Sequence, residues 1–322
     1  MYNICGITYS AGVSHDRVND VIYRLGPIPR LCIDYLRRDS HVLERYEADV
    51  NNAISALTTS QLERLSRESS SLSMDEVSHK IFLISRKDRE NMHSLATVSP
   101  ITPSIKSRLA NHFRTLEHRE QIRLFKYFSE VPQSRELAAV FFEAACQRCL
   151  RDGVTLEIVR MVRPTSSPRG TNPSRWYSSH LFIDTTLEPY RQLALQERQS
   201  FSIPRYLAVE EYPKSGPSSI TSNVIYVPEL PNQAGLNSFI VINGILYMFQ
   251  FTVVEEHEIK PGLVDFFSNY TELPSMENWR FIFILPLNHQ LVCPQPRSFE
   301  IQPYSAIIDL DKLDKLLFES HK

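Results

Sequence analysis

No apolar run in this chain approaches the roughly 20 residues that a membrane-spanning helix needs. The longest, over 239–254, is interrupted by Asn243, Gly244, Gln250 and Thr252. The first residues, Met1-Tyr2-Asn3-Ile4-Cys5, lack a charged stretch followed by an apolar one, so no secretory leader is expected. Cytosol or nucleus is the expected location, and no membrane partner is expected. Cysteine is sparse and odd in number, five in 322 residues, which fits free thiols in a reducing compartment better than a disulfide framework. Charge of one sign is lacking too. The net charge is −2, which argues against a uniformly basic nucleic-acid binder and leaves room for a local basic groove. Glycine is scarce, nine residues against twenty prolines, so many connections should be irregular. No Gly-x-x-x-x-Gly-Lys-[Ser/Thr] loop occurs anywhere. Without that cradle for a triphosphate, no ATP binding or hydrolysis is expected.

What is present is apolar side chain. Hydrophobic residues make up 42% of the chain, enough for a sizeable core and against global disorder. Residues 15–65 read as helical, with Val18, Val21, Ile22 and Leu25 at helical spacing and a break at Gly26-Pro27-Ile28-Pro29. A second helical run follows from Leu31 to Tyr46. Residues 66–75 are serine-rich and read as a linker. Lys80–Ser85 is a strand candidate. Basic groups (Lys106, Arg108, Arg114, Arg119, Arg123, Lys126) alternate with apolar ones over 104–128, as on an amphipathic helical region. That region is either a solvated helix face or a phosphate-binding surface.

Ser134 is an N-cap candidate for a helix reaching Leu150, with Glu136 close behind. Strands are expected at Thr155–Val162, Tyr206–Val209, Asn223–Val227 and Arg280–Leu285. Helices are expected at Gly262–Tyr270 and Leu310–Phe318. Residues 163–176, rich in Pro, Ser, Arg and Gly, should be mobile. No internal repeat is visible. Strands and helices mixed in this order predict an α/β fold, a mixed sheet flanked by helices, preceded by a mainly helical N-terminal region.

The stretch Asn237–Thr252 carries the strongest signal. Two apolar runs flank Asn243-Gly244, the pair that favours a two-residue hairpin turn. Counting outward from the turn sets Ile242 against Ile245, Val241 against Leu246, and Asn237 against Gln250. The two amides then lie roughly 5 Å apart across the strands. Thr252 shares the face of Gln250, because strand side chains alternate. Polar groups inside so apolar a hairpin cost stability unless they are satisfied.

Glu143, in Phe141-Phe142-Glu143-Ala144-Ala145, has apolar neighbours on nearly every side. Such a carboxylate is paired, protonated or bound to a cation. Either it forms an ion pair with a nearby Arg or Lys, or it joins Asn237 and Gln250 in one polar pocket. His257 and Lys260 should open the helix after the hairpin, near its positive end, as a general acid/base and a cation. On spacing alone a solvated charged turn is the favoured reading. Cys146 and Cys149 have C-x-x-C spacing inside a helix with no second pair, which supports neither a zinc site nor a redox motif. Trp176 and Trp279 read as core or rim aromatics.

The run Leu236-Asn237-Ser238-Phe239, then Leu246-Tyr247-Met248-Phe249-Gln250-Phe251-Thr252, then His257 and Lys260, resembles the nuclease-like domain of fungal Crinkler and retrotransposon-hot-spot proteins. Phe141-Phe142-Glu143 resembles the first helix of that domain. Leu25-Gly26-Pro27-Ile28-Pro29-Arg30 resembles the segment that closes their P-loop ATPase module. The resemblance implies a helical remnant of that module over 1–65, a linker with a short strand and a basic helical region over 66–130, and a restriction-endonuclease-like domain of the PD-(D/E)XK type over 131–322.

It further implies a site of Glu143, Asn237, Gln250, Thr252, His257 and Lys260. Glu143, Asn237 and Gln250 would stand around a Mg²⁺ ion, with His257 or Lys260 near the scissile phosphate of DNA or RNA. Asn237 stands where the family pattern has Asp, Gln250 where the wider fold has Glu, and Thr252 where it has Lys. The Gln-x-Thr form is expected of this branch, whereas Asn237 is a departure. Two neutral amides supply oxygens without charge, so Mg²⁺ should be held weakly. A non-catalytic effector or protein-interaction module on the same fold is the other expectation.

Overall fold

The structure, a computed structural model, describes residues 15–26, 32, 40–68, 78–86, 96–131, 134–163, 174–178, 198–213, 215–229, 235–294, 301–310 and 312. Most of the stretches 66–75 and 163–176, and of the tail helix expected over 310–318, lies outside them. The chain divides into two compact units, residues 1–116 with 123–140, and residues 117–122 with 141–322. Among the described residues, no helix is long and apolar enough to cross a membrane.

The first unit holds helices α1 (His15–Leu25), α2 (Ser40–Ala56) and α3 (Thr59–Glu68), a hairpin of β1 (Phe82–Arg86) and β2 (Ala96–Pro100), and helix α4 (Pro103–Arg114). Gly26 ends α1 with φ +72, a left-handed conformation that glycine adopts without strain. The start of α4 is fixed by its cap. Thr102 accepts a hydrogen bond from the Ile105 N–H at 3.0 Å, and Pro103 sits where its missing N–H is harmless. The basic stretch 104–128 is two helices rather than one. Thr115 closes α4 by donating its hydroxyl to the His112 carbonyl, and α5 (His118–Glu130) begins afresh. Its cations are partly neutralised: Arg108 reaches Glu47 at 3.4 Å and Asn51 Oδ1 at 3.2 Å, and Arg123 pairs with Glu63.

Helix α6 (Arg135–Asp152) leads into the second unit. Ser134 donates its hydroxyl back to the Val131 carbonyl at 3.1 Å. From Phe141 onward α6 is buried along most of its circumference, including Phe142, Ala145, Cys149 and Leu150. Such a helix has no clean polar face.

The second unit is built on one eight-stranded mixed sheet. Its strands are β3 (Val154–Arg160), β5 (Arg198–Ile203), β6 (Ala208–Tyr212), β7 (Val224–Pro228), β8 (Ser238–Ile242), β9 (Ile245–Phe251), β10 (Trp279–Pro286) and β12 (Pro303–Ile308), in the order β5-β3-β12-β10-β9-β8-β7-β6. A separate two-stranded pair joins β4 (Arg175–Tyr177) to β11 (Val292–Pro294). Strands β9, β10 and β12 run parallel, and β9 connects to β10 through helix α7 (Gly262–Ser268). The Phe201 ring stacks on that of Tyr247 at 3.8 Å. Three strands separate β5 from β9, so the sheet curls strongly.

Hairpin β8–β9 sits in the middle of this sheet and is buried on both faces, which is why it reads as two continuous apolar runs. Asn243 and Gly244 have φ +52 and +73, the two positive angles of a type I′ turn. The register is as counted from the turn: Ile242 opposes Ile245 and Val241 opposes Leu246.

Elsewhere the sequence reading misplaced or missed strands. Tyr206 lies in a turn with φ +63, and the strand begins two residues later, at Ala208. Strand β5 is exposed at four of six positions, so it carries no apolar alternation to detect. Strand β12, led by Pro303 with Ser305 in its middle, lacks the apolar signature of a central strand although it is one.

Candidate functional site

Asn237 enters β8 at the point where the chain turns away from β9. It is 3% exposed. Its backbone N–H donates to the Phe249 carbonyl at 2.9 Å, and its side-chain Oδ1 accepts from the Phe251 N–H at 2.8 Å. In an unbroken ladder of this register, the Phe251 N–H would meet the Leu236 carbonyl. The Asn237 amide replaces that acceptor and extends the pairing by one bond.

The regular ladder ends at Ser238 opposite Phe249, and Asn237, one residue beyond, sets its N–H on the same Phe249 carbonyl instead of forming the next regular pair with Gln250 that the sequence reading expected. Gln250 is 2% exposed and pairs in register with Phe283, which pairs with Ser305, then Val159, then Arg198. Register partners project to the same face. One row of side chains thus crosses the sheet from Gln250 to Arg198.

Thr252 lies just past the end of β9, near-buried. Its N–H donates to the Ile284 carbonyl at 3.1 Å, and its Oγ1 accepts from the Val254 N–H at 3.2 Å. His257 and Lys260 do not open a helix. Helix α7 starts at Gly262, and the segment before it is tied to β11 by His257 N–H to Val292 O (3.1 Å) and Val292 N–H to Glu255 O (2.8 Å). That tie brings the His257 ring within 5.8 Å of Phe283, the neighbour of Gln250. The His257 Nδ1 lies 3.1 Å from the Glu258 carbonyl. A carbonyl can only accept, so the ring nitrogen is the donor in the tautomer that makes this bond. The Lys260 stem packs on Gly235, where an added Cβ would sit 3.0 Å from Lys260 Cγ. The tertiary fold thus gathers Asn237, Gln250, Thr252, His257 and Lys260 around the carboxyl end of β9.

Glu143 makes its hydrogen bond within its own helix. It is partly exposed on α6, and its Oε1 accepts from Gln147 Nε2 at 3.5 Å. The sequence reading overestimated its enclosure, because the residues before and after it face other directions around the helix. Toward a divalent cation the gathered group offers amide and hydroxyl oxygens, with Asn237 Oδ1 already engaged by Phe251. A neutral set with one oxygen engaged is a poor fit for Mg²⁺, which demands near-octahedral oxygens and gives up water reluctantly. Among the described residues, no group of three or more His, Cys, Asp or Glu assembles into a metal site.

Cys146, Cys149 and Cys293 are free and buried. Burial pushes Cys149 and Cys293 from an ordinary 9.0 up to about 12, and raises Cys146 well above its ordinary value. A thiol whose proton is held more tightly in the folded chain stabilises fully below the unfolded value and loses that contribution as pH climbs toward the folded one. Urea stability should therefore be flat up to about pH 9 and fall steadily toward about pH 12. Cys149→Ala combined with Cys293→Ala should flatten the fall. An unchanged slope in the double variant would show that these thiols titrate as in the unfolded chain.

The fold is α/β with a curled mixed sheet, and Gln250 and Thr252 lie buried at the carboxyl end of β9. No protein-family model matches this chain, and no curated protein or solved structure matches it significantly.

Proposed function

We propose that this chain is a degenerate nuclease-like protein of the Crinkler and retrotransposon-hot-spot type, with a restriction-endonuclease-like core that engages nucleic-acid phosphodiesters in the cytosol or nucleus. The observation that carries the reading is the gathering of Asn237, Gln250, Thr252, His257 and Lys260 where hairpin β8–β9 meets the β9–α7–β10 crossover. Ligand sites of α/β sheets favour the carboxyl ends of strands. In this reading Gln250 and Thr252 orient a phosphate and Lys260 offsets its charge. The His257 ring is the acceptor for a proton from the attacking water. A divalent ion, were one bound, would supply Lewis-acid activation of that phosphate, and Asn237 with Gln250 would hold it weakly.

A nuclease assay on single- and double-stranded DNA and RNA, with Mg²⁺ or Mn²⁺, compares the wild-type chain with Gln250→Ala. The expected result is slow hydrolysis, favoured by Mn²⁺ and lost in the variant. Equal rates in both proteins, or no hydrolysis with either metal, removes the catalytic version.

One observation favours a second reading, a non-catalytic effector or interaction module. Asn237 Oδ1 accepts from the Phe251 N–H, a purely structural employment of the residue where the family pattern has Asp. In that case nucleic acid is bound without hydrolysis, with the steep salt dependence of phosphate contacts. Absence of binding even at low salt points instead to a protein partner.

A further inference from the structure

A pocket of about 890 Å³ opens at the other end of the row that begins at Gln250, over strands β12, β3 and β5. Its floor includes Ser305, Val159 and Ile307. Ser305 is fully buried, and its hydroxyl has no hydrogen-bond partner among the described residues. It pairs in register with Val159, which pairs with Arg198. All three line the pocket, so the orphan hydroxyl lies on the pocket's face of the sheet. Buried polar groups rarely stay unsatisfied, and one in a native structure calls for a missing partner.

The rim is cationic. Arg198, Arg205 and Lys312 line it, against Glu157 and Asp309, three positive groups to two negative. Glu157 is taken by Arg198 at 3.7 Å, and the Asp309 carboxylate accepts the Lys312 backbone N–H at 3.1 Å. The exposed Arg205 and Lys312 side chains are ion-paired with no described residue. Position 153 must be glycine for the rim to form. It has φ +85, and an added Cβ would lie 2.5 Å from Arg205 Cγ and 3.0 Å from the Arg205 backbone.

Beside Arg205 stands Tyr206, 89% exposed and left-handed at φ +63. A bulky residue in that conformation is an outlier, and such outliers concentrate at functional sites. Together with the rim cations, an exposed ring one residue beyond Arg205, which lines the pocket, matches the two halves of one ligand. The pocket suits a phosphate and the ring suits a base.

We propose that this pocket binds the phosphate of a nucleotide, with the attached base stacked on Tyr206. The nucleotide comes either free or as a unit of a single strand. The site is separate from the proposed hydrolytic group and requires no metal. The test is fluorescence anisotropy of a labelled oligothymidylate of about ten nucleotides, at low salt in EDTA, where metal-dependent hydrolysis is silent. AMP and inorganic phosphate serve as competitors. Lys312→Glu should weaken the oligonucleotide about tenfold. Tyr206→Ala should weaken oligonucleotide and AMP about tenfold while leaving competition by inorganic phosphate unchanged. Ser305→Ala should weaken all three.

Displacement by AMP with this variant pattern identifies a free nucleotide as the ligand. Binding of the oligonucleotide alone, with the same pattern, identifies a strand. Because Tyr206 and Lys312 are exposed, their variants keep the fold, which thermal melts verify. Binding of no probe, or binding that neither Tyr206→Ala nor Lys312→Glu alters, overturns the proposal.

Discussion

Phe239→Ala is expected to destabilise the second unit by about 3–5 kcal/mol, the usual cost of removing a buried aromatic ring. Phe239 is fully buried in the cluster that includes Met248, Phe281 and Phe283. It stacks on Tyr226 at 4.8 Å and 13°, meets Phe267 edge-on at 5.1 Å and lies 5.6 Å from Tyr212. Four aromatic rings from β6, β7, β8 and α7 therefore depend on one another. Each such pair is worth about 0.5–1.5 kcal/mol beyond its buried area. The cavity left by alanine opens at their common point, so no single neighbour can fill it. Phe239→Leu keeps most of the volume and should cost clearly less. Urea denaturation of both variants measures the difference. A Phe239→Ala loss below about 1 kcal/mol would mean that the cluster repacks freely.

The second large effect is expected at Asn237. Asn237→Ala removes the acceptor of the Phe251 N–H and leaves that donor buried. An unsatisfied buried N–H costs about 1–3 kcal/mol. Asn237→Asp keeps an acceptor at the same place and should retain more stability than the alanine variant. It also adds the charge that a divalent ion needs, so Mn²⁺ should raise its melting temperature more than that of the wild type. The comparison separates the two employments of this residue. In EDTA a residue kept only for metal would show no stability difference between Asn and Ala. Equal stability of all three proteins in EDTA would discard the structural role.

The hairpin was legible because its information is local. Asn243-Gly244 sets the turn, and the turn sets the register from Ile242–Ile245 to Ser238–Phe249 without any knowledge of the rest of the chain. The break after Leu25 is local in the same way. Glu143 shows the opposite limit. Its sequence neighbours are apolar, yet a helix spreads consecutive residues around its circumference, so those neighbours say little about its own surroundings. His257 and Lys260 were assigned to a helix because charged residues precede an apolar stretch, whereas the pairing of Glu255 and His257 with β11 is a long-range contact with no local mark.

What the sequence by itself determined is the presence of an α/β chain, the β8–β9 hairpin and its register. Each follows from side-chain periodicity and turn chemistry within a few residues. Only the tertiary structure decided that β12 and β3 carry the row of Gln250 onward to Ser305 and Arg198. That order depends on which strands lie side by side, and strand order arises from the burial of whole faces rather than from any one segment. The same packing decided that Asn237 spends its oxygen on the Phe251 N–H and that Arg205 closes over Gly153. These are outcomes of chain segments distant in sequence competing for the same space and the same hydrogen bonds.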